Sequence, residues 1–91
     1  MIRILIMKQY SIKFDFKERQ YSADVTEIDG LDNTQYAISP RDEELTRIFK
    51  SNVIRKDKVD GEWHYDFPNG PDGDIYMDSL LNALQSFLAH S

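Results

Sequence analysis

Residues 10–28, YSIKFDFKERQYSADVTEI, constrain the fold more than any other stretch. Tyr10, Ile12, Phe14 and Phe16 alternate with Ser11, Lys13, Asp15 and Lys17, and after KERQ the pattern resumes with Tyr21, Ala23 and Val25 against Ser22, Asp24 and Thr26. A period of two is that of a strand with one buried face, so two such runs joined by a polar turn predict an antiparallel hairpin. Placing Phe16 opposite Tyr21 sets Phe14 by Ala23 and Ile12 by Val25 on the inner face, with Lys13 by Asp24 on the outer. Slipping by one residue would send one apolar set to solvent.

The rest of the chain supplies what such a hairpin needs to bury its face. DGLDN (residues 29–33) is a cluster of turn formers, and TQYAI reads as a third strand. SPRDEELTRIFK predicts a helix capped by Ser39 with Pro40 at its first position. Asp42, Glu43 and Glu44 fall in its first turn, and Leu45, Ile48 and Phe49 form its buried stripe. VIRKDKVDGEWHYDF predicts a second hairpin turning at Asp60-Gly61. A two-residue loop would pair Val59 with Glu62. A three-residue loop with a glycine bulge, the preferred reading, pairs Lys58 with Glu62 and Val53 with Phe67. After PNGPDGD, which is too rich in Pro and Gly for regular structure, Met77, Leu80, Leu81, Leu84, Phe87 and Leu88 recur at helical spacing from about Asp74 to Ala89. Asp72 or Asp74 would cap that helix, and His90 ends it.

The expected order is β-β-β-α-β-β-α, an α+β fold with a mainly antiparallel sheet and both helices on one face as a two-layer sandwich. Ninety-one residues, 41% of them hydrophobic and 12% aromatic, allow a single domain spanning 1–91 with one thin core. Residues 1–7 are either an N-terminal extension, since Met7 could also start translation, or a short strand. The opening MIRILIMK is too short for a membrane span or a signal peptide, so the expected location is cytoplasmic.

Function is far less constrained. Eleven Lys and Arg against sixteen Asp and Glu give a net charge of -5, which works against phosphate backbones and anionic membranes. The lack of cysteine excludes disulfides, thiol catalysis and thiolate metal sites. Within DGEWHYDF (residues 60–67), alternation turns Trp63, Tyr65 and Phe67 inward and Glu62, His64 and Asp66 outward. His64 and Asp66 are the weak candidates for general acid–base chemistry, because a carboxylate two residues away on the same face can orient an imidazole. No nucleophile motif and no phosphate-binding glycine loop accompanies them.

Zinc would have to use His64 and His90 with carboxylates, without paired spacing. Calcium would have to use DGLDN or PDGD, neither of which matches a helix-loop-helix site, so no metal and no cofactor is expected. Arg55, Lys56 and Lys58 beside aromatic residues are the ingredients of a nucleic-acid platform, opposed by the acidic balance of the chain. The preferred reading is a non-enzymatic accessory or protein-interaction module. Tyr76, Leu80 and Phe87 are the candidate contact for a protein partner or for self-association.

Overall fold

The computed structural model describes residues 6–66 and 72–90. Its elements follow in the order β1 (Ile6–Phe16), β2 (Arg19–Asp29), β3 (Asn33–Pro40), α1 (Glu43–Phe49), β4 (Asn52–Asp57), β5 (Trp63–Tyr65) and α2 (Gly73–Ala89). The protein is an α+β fold: one five-stranded antiparallel sheet in the order β1-β2-β3-β4-β5, with two helices. The expectations for residues 1–5, for Phe67 and for most of PNGPDGD lie outside the described residues. The first strand is longer than its alternation suggested and begins at Ile6.

The first hairpin is tighter than expected. Phe16 pairs with Arg19, Phe14 with Tyr21, Ile12 with Ala23 and Tyr10 with Val25, two residues away from the expected register. Lys17 and Glu18 alone make the turn, with φ of 49° and 64°. Both are left-handed, the geometry that matches the twist of the flanking strands, here adopted without the usual Asn-Gly. Because the shift is an even number of residues, each side chain keeps its face. Ser11, not Lys13, therefore faces Asp24. The charge partner of Asp24 is Arg41, whose Nε and Nη2 donate to its Oδ1 at 3.0 and 2.8 Å. The Arg41 guanidinium accordingly holds the Asp24 carboxyl below its ordinary range.

α1 starts later than its sequence signals imply. Ser39 and Pro40 belong to β3, where Pro40 pairs with Ala23. The backbone N–H of Arg41 donates to the Ser22 carbonyl at 2.9 Å, so Pro40, with no N–H to offer, faces the side that β4, which begins at Asn52 opposite Ile38, does not reach. The cap is Asp42, whose Oδ2 accepts from the Leu45 amide at 3.1 Å. With that start, Leu45 and Phe49 are buried, while Ile48, expected in the stripe, is 49% exposed.

The second hairpin matches neither expected register. Ile54 pairs with Tyr65 and Lys56 with Trp63, and the Asp57 amide donates to Glu62 at 2.9 Å, so residues 58–61 form the loop. Asp57 Oδ1 accepts from the amides of Val59 and Asp60, closing a side-chain turn that lengthens the loop, and Gly61 supplies φ of 73°. Ile54 rather than Val53 thereby turns inward: Ile54 is fully buried and Val53 44% exposed.

Ile12, Phe14, Phe16, Ala23, Val25, Tyr36, Ile38 and Ile54 of the sheet, with Leu45 and Phe49 of α1 and Tyr76, Met77, Leu80 and Leu84 of α2, form a single core. Tyr76 is its hub. Its ring stacks on Phe49 at 4.0 Å between centroids and meets Phe14 and Phe16 edge-on at 5.7 and 5.5 Å. Asp72, the left-handed N-cap residue of α2, makes no side-chain cap and instead pairs with Lys17 in the first turn at 2.7 Å. From there α2 runs along β1 until Phe87 stacks on Tyr10 at 4.5 Å.

Candidate functional site

Beyond the row in which Tyr10 pairs with Val25, the inner face of the sheet changes character. The strand registers bring Lys8, Glu27, Tyr36, Ile54 and Tyr65 side by side in one row, and Asp29, Thr34, Lys56 and Trp63 in the next. The apolar core gives way here to charges and rings. Two open depressions mark the change. One, of about 550 Å³, is lined by Thr34, Tyr36, Lys56, Asp57, Lys58 and Gly61. The other, of about 510 Å³ between β1 and the end of α2, includes Tyr10, Glu27 and Phe87.

Several polar groups of this shelf are paired. The Tyr10 hydroxyl donates to Glu27 Oε1 at 2.9 Å, and Lys58 and Thr34 both reach Asp29 Oδ1. Lys56 Nζ sits 5.2 Å over the Trp63 ring, which lies 5.6 Å from Tyr36. Burial, and then the hydrogen bond to Glu27, pushes the Tyr10 phenol well above its ordinary range. Burial, with Glu27 and Asp29 nearby, pushes Tyr36 the same way. The hydrogen bond from Lys58 holds Asp29 low. The shelf thus presents neutral phenols, a half-buried indole and compensated ions.

The sequence-derived candidates are dispersed. Trp63 and Tyr65 pack against the core, while Glu62, His64 and Asp66 are exposed. His64 stands on the opposite, outer face, across from Arg55. Arg55 shares that outer face, whereas Lys56 projects from the inner one and Lys58 is tied to Asp29 in the loop, so the three cations do not form one basic surface. Tyr76 and Leu80 are fully buried, and Phe87 is half-buried against Tyr10. Of the three expected contact residues Tyr76 and Leu80 are therefore core and Phe87 packs against it, and the exposed large apolar residue among the described residues of that helix is Ile75. His90 Nδ1 lies 2.7 Å from the Ser86 carbonyl, closing the helix end.

One grouping escaped sequence reasoning. Ligand atoms of Asp57, Asp60 and His64 lie within 4.8 Å of one another, a set that suits a borderline divalent ion. Its two carboxylates already cap the turn: Asp57 Oδ1 accepts from Val59 and Asp60, and Asp60 Oδ1 from Glu62 at 2.8 Å. The only sequence signal was the Asp-x-x-Asp-x-x-x-His spacing across a hairpin loop.

Comparison with protein-family models, with curated proteins and with solved structures gives no match to this chain. No helix among the described residues is long and apolar enough to cross a membrane.

Proposed function

We propose that this chain is a non-enzymatic protein-interaction module that receives a partner segment on the shelf formed by Asp29, Thr34, Tyr36, Lys56 and Trp63. The observation that carries this reading is the placement of a half-buried tryptophan, flanked by a tyrosine and overlaid by a lysine, at the open end of the sheet. Aromatic rings with an adaptable polar rim are what protein recognition surfaces use. The reading takes the fold as a two-layer sandwich with both helices on the inner face, and the site of action as the cytoplasm. Catalysis centred on His64 and Asp66 has less support, because both are exposed. Nucleic-acid binding has less support because Arg55 is separated from Lys56 and Lys58.

The test uses affinity capture from the producing cell with the full chain as bait. A specific protein should be retained by the unaltered chain and by Arg55→Glu, which changes the outer face, and lost with Lys56→Glu and Trp63→Ala at unchanged circular dichroism. Equal loss with Arg55→Glu, or recovery of nucleic acid in place of protein, refutes the proposal.

A further inference from the structure

The two edges of the sheet are treated differently. β5, at one end, is three residues long, a length that blunts an edge. β1, at the other, runs for 11 residues without proline, and its register with β2 is continuous, with no bulge. In an antiparallel ladder alternate residues turn their backbone groups to opposite sides. The tight turn makes Phe16 and Arg19 a hydrogen-bonded pair, so the even-numbered residues of β1 face β2. The bond from the Arg41 amide to the Ser22 carbonyl agrees, since it sends the even residues of β2 toward β3. The N–H and C=O groups of Met7, Gln9, Ser11, Lys13 and Asp15 therefore point outward, and among the described residues no strand pairs with them.

We propose that a second copy of this chain covers that edge, β1 pairing antiparallel with β1 of the copy about a two-fold axis at Ser11. This goes beyond the reading of the shelf and does not depend on it. The axis makes the contact isologous. In that register Ser11 meets Ser11, Gln9 meets Lys13 and Met7 meets Asp15, so every outward backbone group gains a partner and no two like charges stand opposite. Moving the axis one step toward the turn, to Ile12, leaves Met7 unpaired, and moving it to Lys13 sets lysine against lysine. The helix beside the edge accommodates the copy. Ser79, Asn82 and Ala83 line a cleft of about 280 Å³ with Lys13, Phe14 and Asp15, so α2 turns short side chains toward the incoming strand.

Sedimentation velocity from micromolar to sub-millimolar concentration tests this directly. Gln9→Lys places two like-charged pairs across the axis and Gln9→Glu two opposite ones, on an exposed side chain that leaves the fold alone. Their dissociation constants should differ on the order of tenfold or more, with the unaltered chain between them. Lys13→Pro removes an outward N–H that β2 does not use, and should give a monomer with an unchanged circular dichroism spectrum. A chain that is monomeric throughout overturns the proposal. So does a dimer indifferent to all three substitutions, or assembly that continues past the dimer. A monomer whose β1 amides become protected from hydrogen exchange only on adding an unrelated extended peptide assigns the edge to a foreign strand and also overturns it.

Discussion

Replacing Tyr76 with phenylalanine should stabilise the protein. The Tyr76 side chain is fully buried, and its hydroxyl is the buried side-chain polar atom without a hydrogen-bond partner among the described residues. The stacking on Phe49 and the edge contacts with Phe14 and Phe16 involve only the ring, which phenylalanine keeps. An unsatisfied buried hydroxyl costs about 1–3 kcal/mol, and part of the gain is offset by the contacts its oxygen makes. Tyr76→Phe is therefore worth about 1 kcal/mol at neutral pH, or about 4–8 °C in Tm for a domain of this size.

A second signature ties the gain to the hydroxyl. Burial pushes the Tyr76 phenol from its ordinary value of 10 up to about 12. The folded state thus holds this proton after the unfolded chain has released it, so the stability linked to it is complete below pH 10 and is lost as the pH climbs toward 12. At pH 11 the advantage of Tyr76→Phe should widen by about 1.4 kcal/mol. Urea unfolding at the two pH values measures both quantities. A Tyr76→Phe protein less stable than its parent at neutral pH, or an advantage that does not grow, would show that the hydroxyl is satisfied and the argument wrong.

Two further substitutions test the local structure. Asp42→Ala should cost about 1 kcal/mol in chemical denaturation and Ser39→Ala less than about 0.5 kcal/mol, since the carboxylate of Asp42 caps α1 and the Ser39 hydroxyl only meets that of Ser51 on the surface. Equal effects would contradict this assignment of the cap. Glu18→Gly should raise the urea midpoint by the equivalent of about 0.5–1 kcal/mol by relieving a left-handed residue, and a lowered midpoint would mean that the turn is not strained.

Alternation made the faces of the long strands legible even where the pairing was not, because the first hairpin moved by two residues. What a single sequence could not convey was the conformation of Lys17 and Glu18. Neither is a residue that signals left-handed geometry, and only the strands on either side impose it. Pro40 carried two compatible meanings, the first residue of a helix or the free side of a strand, and the start of β4 at Asn52, short of Pro40, decides between them. Asp57 redirected the second hairpin by capping its loop, an interaction invisible in the run of charges around it. The shelf was the least legible part. Asp29, Thr34, Lys56 and Trp63 come from four strands, and only the combined registers bring them into one row. Tyr76 and Leu80 were recognisably apolar at helical spacing, but their spacing does not say whether the sheet or a partner covers them.

Because the strands neighbour one another in the order in which they occur, the growing polypeptide can zip its meander together as it leaves the ribosome, each hairpin closing on the one before. The helix that roofs Phe14 and Phe16 is translated after all five strands. For on the order of seconds, at about 5–20 residues per second, those rings lack the cover of Tyr76. Nascent chains of this protein are then vulnerable to chaperone capture or aggregation, and synonymous codon changes that slow elongation between β5 and α2 should lengthen that interval without altering the finished molecule.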